Sequence, residues 1–548
     1  MKMLKLRSIK QYKMKKIKYK FMFECLVLLV TLIGCTGGMN DHFRVSRETY
    51  YVSIKGDDHA RGSKRHPWRS IEKVNATAFK AGDAVYFEGG CTFDGMIRLD
   101  SMDSGMDGMD FVLGSYGEGK AVINGGIMQG MMAVNCDFFQ VKDLVFIGAG
   151  RKNGNTTDGI YFTGAHNLIV NNLEISGFQH SGLHVQNSSN VKIEKIYAHD
   201  NGFAGIHITG INMNDPTKYE NENIYIGHCV AEDNPGDPSV TNNHSGNGIL
   251  ASSVRGGIIE YCEAFNNGWD MPWTGNGPVG IWIWDCTDVI IQYCISHDNK
   301  TNPVAADGGG FDLDGGVSNS TIQYCLSFNN QGAGIGLFEF GAAKPWQNNV
   351  IRYNISQNDG INNGGSIAIW RNETGGTMRN CEIYNNTFFN NTARGVSLWI
   401  YNNWPGFNFR NNIFIYKGSF LFPGQKLNTE LFLGNCYWNL SDDQSIAGYM
   451  NLEQWARKTG NEMLKGYIAG VYCDPYLVNP EALTITDPDR INKETQAGFS
   501  LKPGSPLIDH GLDLKKLFNL DVVKKDMIGT SLPQGNGFDI GALEFQGN

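Results

Sequence analysis

The sequence predicts an all-β chain wound as a single-stranded right-handed parallel β-helix, with an N-terminal cap and an irregular C-terminal extension. Three observations predict it: a recurring strand phrase, the absence of room for crossover helices, and a column of like residues at one register position. Between residues 159 and 414 a Gly followed by alternating apolar residues recurs, as in Gly159-Ile-Tyr-Phe, Gly182-Leu-His-Val, Gly205-Ile-His-Ile, Gly280-Ile-Trp-Ile-Trp, Gly310-Phe-Asp-Leu-Asp and Gly395-Val-Ser-Leu-Trp. Each is answered by a second apolar run, such as Asn190-Val-Lys-Ile, Asp288-Val-Ile-Ile or Asn349-Val-Ile-Arg. The unit of about 23 to 43 residues holds short strands with period-2 alternation between Gly/Asn turns. No helix of ordinary length fits between them, so parallel strands require the chain to coil, each turn stacking on the last at about 4.8 Å.

The cysteines give the register independently. Cys229, Cys262, Cys294 and Cys325 fall at equivalent positions of the second strand, and the column continues as Asn354, Asn386 and Asn412, with Asn172 earlier. Stacked like side chains form internal ladders, Asn through amide hydrogen bonds and Cys through soft packing. An exported chain with 12 Cys also invites disulfides. A reduced ladder is favoured for these four, because parallel neighbours in register are poorly oriented for the disulfide dihedral.

The chain has 548 residues, 68 of them Gly and only 16 Pro, with 41% hydrophobic and 18% charged residues; this is a folded, turn-rich composition. Nine of the 46 Lys and Arg lie within residues 1–20, ahead of the apolar stretch Phe21–Ile33. That stretch is too short for a spanning anchor and is interrupted by Glu24, so it reads as an export signal. It ends in Leu32-Ile33-Gly34-Cys35, which resembles the lipobox of bacterial lipoproteins. The resemblance implies a signal peptide over 1–34, lipidation of Cys35, and a tether over 35–47 that holds the protein at the cell outer membrane, facing the periplasm or the outside. Without residues 1–34 the count is 37 basic against 54 acidic, a charge of −17, which argues against a nucleic-acid partner. The β-helix is expected over 48–420 and the extension, packed on it, over 421–548. A monomer is expected.

Tyr50-Tyr-Val-Ser, His66-Pro-Trp-Arg-Ser-Ile-Glu-Lys-Val-Asn and Lys80-Ala-Gly-Asp-Ala-Val-Tyr-Phe resemble the capping entry of bacterial pectate-lyase-like β-helix proteins. Cys473-Asp-Pro-Tyr-Leu-Val-Asn-Pro, Leu501-Lys-Pro-Gly-Ser-Pro-Leu-Ile-Asp and Asp539-Ile-Gly-Ala-Leu-Glu are similar to the closing segment of many such chains. The resemblance covers nearly all of residues 48–545. It implies the fold and a carbohydrate-active protein, but not one reaction: the superfamily holds polysaccharide lyases, glycoside hydrolases, epimerases and non-catalytic adhesins.

Inward residues fill a β-helix, so function falls to outward residues and loops. Aligned on the repeated Gly, one outward column reads Tyr161, His184, His207, Leu250, Trp282, Asp312, Gly336, Ala368, Ser397. The other reads Thr163, Gln186, Thr209, Ser252, Trp284, Asp314, Phe338, Trp370, Trp399. Eight of the 11 Trp lie between residues 269 and 404. Outward Trp282, Trp284, Trp370 and Trp399 suit stacking on the apolar face of a sugar, unless loops fold over them as a satellite core. Asp312 and Asp314 share a strand face about 6.5 to 7 Å apart, and Glu339 follows one coil on. Glycoside hydrolysis needs one carboxylic acid and one carboxylate, and crowding splits the pKa values of neighbouring acids to give both. Asp312, Asp314 and Glu339 are therefore the expected catalytic set, with Asp285, Arg371 and His207 as substrate contacts beside the Trp residues. Using Glu339 assumes that its strand breaks after Phe338, since strict alternation would turn it inward.

Hydrolysis with no cofactor is the first reading. A Ca²⁺-dependent polysaccharide lyase is the alternative, with Asp285, Asp307, Asp312 and Asp314 as metal ligands and Arg371 or Lys344 as base. A glycan-binding protein without catalysis is the third. Phosphate-loop, His-Glu-x-x-His, Cys-x-x-Cys and Gly-x-Ser-x-Gly motifs are absent from the sequence.

Overall fold

A computed structural model describes residues 47–547, except 214, 373–377, 402–404, 428, 442 and 483–484. Cys35 and the export signal lie outside the described residues. Three long parallel sheets run the length of the molecule. Sheet I has 14 strands beginning at Thr49–Val52, sheet II has 12 beginning at Ile97–Leu99, and sheet III has 14 beginning at Thr92–Asp94. Each coil passes through sheet II, then I, then III, as in Ile160–Thr163, His166–Asn171 and Glu174–Ser176. The strands of these sheets pair in parallel with their counterparts one coil away, in register apart from a shift between Asn124 and Gly126, as Tyr161 with His184 and His184 with His207.

The inward positions form one continuous apolar core, for example Ile160, Leu183, Ile206, Ile249, Ile281 and Phe311 in successive coils. Burying each such side chain contributes roughly 1.5–3 kcal/mol. The corners are polar and are satisfied from inside. At the corner from sheet III to sheet II an asparagine ladder runs Asn201, Asn234, Asn267, Asn299, Asn330 and ends on Asp359. Each side-chain oxygen accepts the main-chain N–H of the ladder residue one coil before. Each amide also donates to a carbonyl of that earlier coil, as Asn299 Nδ2 does to Ala264 O. Residues just before the ladder, such as Asp200, Asp233 and Asp298, take left-handed φ of 48–54° to turn the chain.

At the corner from sheet I to sheet III the cysteine column lies inside as expected. Cys229, Cys262, Cys294 and Cys325 are all buried thiols. The column passes into Asn354, Asn386, Asn412 and Asn435, which hydrogen bond one to the next. Asn172 does not belong to it. The inward residue of that coil is Leu173, and Asn172 occupies the preceding left-handed position (φ 53°), bonded to Asp143. Tyr261, Tyr293, Tyr324 and Tyr353 hold the same left-handed position in later coils. This conformation costs a bulky residue about 1–2 kcal/mol. Ring stacking along the column, 5.2 Å between Tyr261 and Tyr293 and 4.9 Å between Tyr293 and Tyr324, offsets part of that cost.

The helix begins where the sequence places it but runs past the expected end. Thr49–Val52 and Ala84–Glu88 already pair in sheet I, so the cap is the first coil itself, closed by Trp68, Phe79 and the short helix Ile71–Asn75. The helix does not stop at 420. Ser419–Leu421, Leu431–Leu433, Cys436–Asn439 and Val471–Tyr472 extend the three sheets. Trp455, on the helix Leu452–Thr459, then covers the open end through Phe420, Phe432 and Tyr437. From Leu477 to Leu543 the chain returns along sheet III and buries Leu326, Phe328, Ile355 and Ile415.

Asn299→Leu should lower unfolding free energy by about 2 kcal/mol or more. It strands the N–H of Asn267 inside the core and removes the ladder bond to Asn330. Urea unfolding measures this, and a loss below ~0.5 kcal/mol would show that the ladder does not hold the corner.

Candidate active site

The corner carrying the asparagine ladder is also where coil length varies. Two residues separate Asn201 from the sheet II strand Ala204–Thr209, whereas longer loops lead from Asn234, Asn267 and Asn299 to Asn247–Ser252, Val279–Trp284 and Gly309–Leu313. These loops stand beside the outer face of sheet II and enclose a cavity of about 820 Å³. Its floor follows from the register. Trp282, Asp312, Gly336, Ala368 and Trp399 are direct neighbours in successive coils. Gly336 and Ala368 leave room between Asp312 and Trp399. A Cβ on Gly336 would lie 2.7 Å from the Phe338 ring and 3.0 Å from Asp312 Oδ1, so glycine is what lets that ring lie beside the carboxyl. The parallel column sets Trp284, Asp314, Phe338 and Trp370 along one wall, closed by Phe340, whose ring meets Trp284 edge-on at 5.7 Å.

Among the described residues three carboxyls line the cavity: Asp307, Asp312 and Asp314. Asp312 is only 2% exposed and its Oδ1 has no hydrogen-bond partner. Burial, with the charges of Asp314 and Asp307 nearby, holds its pKa well above the carboxylate range. Asp314, at the end of the strand, accepts the N–H of Gly315 at 2.7 Å. Burial, Asp307 and Glu339 nevertheless push it up to about 8. Asp307 sits in the wall loop with a left-handed φ of 60° and accepts the N–H of Gly277 through Oδ2. Burial raises it to about 6. Burial, with mutual charge at Asp312 and Asp314, thus raises all three carboxyls, Asp312 and Asp314 more than Asp307, which spreads neighbouring acids in the way that acid–base catalysis uses.

The structure departs from sequence expectation at several positions. Glu339 does not line the cavity. Alternation holds to the end of Ile335–Glu339, so the side chain turns inward and is fully buried. Its carboxylate accepts the N–H groups of Gly316, Gly341 and Ala342, clamping the turn after Asp314 to the loop that carries Phe340. Asp285 is likewise withdrawn. It forms a buried bidentate ion pair with Lys344, at 2.7 and 2.9 Å, each side chain 1% exposed. That pair takes Asp285 out of both the substrate contacts and the four-Asp calcium set, and takes Lys344 out of reach as a lyase base. Arg371 and His207 are also outside the cavity lining. His207 stacks on His184 at 4.6 Å, two coils before Trp282.

Among the tryptophans, Trp284, Trp370 and Trp399 present half-buried rings to the cavity. Trp282 is 3% exposed and belongs to a satellite core with Leu250 and Val279, its Nε1 donating to Asn247. Trp399 belongs to the Asp312 column, with Ala368 as neighbour, and not to the Trp370 column. Gly395 adopts a left-handed φ of 51° and shifts the last coil by two residues, so Ser397 is buried. His244 and Arg394 line the cavity without having been singled out by sequence. Both come from the variable loops, where strand periodicity carries no signal. Burial lowers the pKa of His244 to about 4, and its Nδ1 accepts from Asn247 Nδ2, so the ring is neutral.

Comparison with known proteins bears on the fold and the lineage. Lacto-N-biosidase of Bifidobacterium longum is 27% identical over 173 residues, 31% of this chain and 10% of that protein. The chain thus spans about a tenth of the length of the relative it matches. Among solved structures, a GH136 lacto-N-biosidase from Eubacterium ramulus has a TM-score of 0.49 at 17% identity, covering 70% of this chain and 67% of that one. The pectate lyase Pel9A has a TM-score of 0.44 at 18% identity, covering 91% and 97%. A family model described as "Pel9A-like, right handed beta helix region" matches residues 50–363, more than half of the chain and every coil that supplies a cavity carboxyl. With the three parallel sheets traced above, the chain belongs to the Pel9A-like right-handed β-helix family.

Proposed function

We propose that the protein is a glycoside hydrolase that cleaves a polysaccharide or its oligosaccharides in the cavity over Asp307, Asp312 and Asp314. The observation that carries this reading is the gathering of three carboxyls on the cavity lining, where burial raises Asp307 to about 6 and Asp314 further, to about 8. In this reading Asp314 protonates the glycosidic oxygen as the bond breaks, and ionised Asp307 acts as base towards water or as nucleophile. Asp312 keeps its proton and offers its unpartnered carboxyl to a sugar hydroxyl. Trp284, Trp370 and Trp399 stack on sugar faces. The partial relative named lacto-N-biosidase supports a hydrolase over a lyase. So does the ion pair that occupies Lys344. Glu339 acts as a positioning residue through the turn that carries Asp314.

Lipidation at Cys35 and a place at the outer membrane belong to the same proposal and rest on the lipobox-like Leu32-Ile33-Gly34-Cys35. Metabolic fatty-acid labelling should disappear in Cys35→Ala; labelling that persists would refute the anchor.

A panel of plant, algal and host glycans, read by reducing-end release and by absorbance of unsaturated uronides, identifies the substrate. On that substrate kcat/KM should follow a bell. It rises as Asp307 loses its proton near pH 6 and falls as Asp314 loses its proton near pH 8. Asp314→Asn and Asp307→Asn should each lower kcat by about 10²- to 10⁴-fold with little change in thermal midpoint. Glu339→Gln should retain far more activity than Asp314→Asn. Full activity in both aspartate variants would place the chemistry elsewhere.

A further inference from the structure

The first coil carries charge of the opposite sign to the rest of the molecule. Residues 47–83 hold eight Lys and Arg against five Asp and Glu, whereas the chain after residue 34 has a charge of −17. Thr49–Val52 is the terminal strand of sheet I, and residues 60–68 strap its free edge. Tyr51 N–H donates to Gly62 O at 2.7 Å, Trp68 N–H to Tyr51 O at 2.8 Å, and the buried Trp68 indole N–H to Ala60 O at 3.1 Å. The strap and its flanks, residues 54–70, present Lys55, Arg61, Lys64, Arg65 and Arg69, all exposed. The two acids of this stretch are engaged by the main chain: Asp57 accepts the N–H of His59, and Asp58 accepts those of Arg69 and Ser70. None of the five cations joins an ion pair among the described residues. Ile54, 48% exposed, stands beside Lys55.

A fixed basic face on a strongly acidic molecule selects a polyanion, and only charges within a Debye length of about 8 Å decide the contact. The cavity acids are remote from it. Gly309–Leu313 lies seven coils from Ile97–Leu99 in sheet II, about 34 Å at about 4.8 Å per coil. Three of the five cations are guanidinium groups, which bind phosphate oxygens through paired N–H donors. A phosphate surface is what the start of the chain supplies. Twelve residues, 35–46, separate Cys35 from Arg47, so a lipid on Cys35 keeps Arg47 within about 43 Å of a bilayer. We infer that the strap over the first coil is a docking surface for a bilayer with anionic phospholipid headgroups, which stands the β-helix on its N-terminal end and holds the cavity clear of the membrane. The inference rests on the Cys35 reading for bringing a bilayer within reach, but the strap's affinity is measured without the lipid.

Co-sedimentation uses the chain from residue 35 with Cys35→Ser, which keeps every described residue, and phosphatidylcholine vesicles with or without phosphatidylglycerol. Partitioning onto the anionic vesicles should exceed that onto the neutral ones by about 10-fold or more and fall as salt rises. Arg61→Gln, Arg65→Gln and Arg69→Gln should each lower it about 5-fold. The three together should abolish the preference, with thermal midpoints confirming that the variant folds. Lys465→Gln, Lys515→Gln and Lys516→Gln, on exposed C-terminal segments, make the same change in net charge and should leave binding intact. Equal partitioning onto both vesicles overturns the dock. So does a preference that survives the triple arginine variant, or one lost equally in the lysine variant. Retention on an acidic polysaccharide without a preference for anionic vesicles overturns it too, and makes a polyanionic glycan the occupant. A vesicle preference in a chain whose Cys35 takes no fatty-acid label leaves the dock standing and counts against the anchor alone.

Discussion

Each coil of this molecule must repeat the backbone of the coil beneath it, and the interaction that enforces the repeat is the buried amide ladder at the corners. Main-chain N–H groups that turn inward at a corner have no sheet partner, and an unsatisfied one costs about 1–3 kcal/mol. Asn201, Asn234, Asn267, Asn299 and Asn330 supply the acceptor from one coil on and return a donor to the coil before. The ladder fixes where a strand of sheet II can begin, whatever length of loop intervenes. Loops can therefore lengthen at this corner without disturbing the stack, and they do so where the cavity forms.

The site grows out of that freedom. Parallel register places Asp312 beside Trp282 on one side and Gly336 on the other, so a carboxyl and an aromatic wall come from single strands with no further design. Ala368 keeps the floor low, Gly336 admits the Phe338 ring beside Asp312, and the loops that carry His244, Asp307 and Arg394 wall the cavity. Burial then sets the chemistry. The same desolvation that would penalise a lone carboxylate leaves Asp312 and Asp314 protonated and Asp307 poised near neutrality. Glu339 and the Asp285–Lys344 pair sit beneath this layer and fix the loop of Phe340 and the turn of Asp314.

Much of this was legible in the sequence, for a physical reason: period-2 alternation and a repeated Gly report backbone register, and register determines which side chains face outward. Asp312, Asp314, Trp284 and Trp370 take their places on that ground. The same logic failed where a single residue leaves the extended conformation. Gly395 moved Trp399 into the other column, and the left-handed turn at Asn172 displaced the ladder by one. Glu339 illustrates the opposite error, an exemption from alternation that the strand does not make. Loop contributors such as His244 and Arg394 carry no periodic signal, and the partners that withdraw Asp285, Lys344 among them, are far apart in the chain. They become visible only when coils are stacked.

The central claim is that water is added across a glycosidic bond above Asp307 and Asp314. Cleavage of the identified glycan in ¹⁸O-labelled water, followed by mass spectrometry of the products, tests it most directly. Hydrolysis in this cavity predicts one labelled oxygen per cleavage, with the labelled product lost in Asp314→Asn. An unlabelled, unsaturated product lighter by one water would show β-elimination instead and contradict the account.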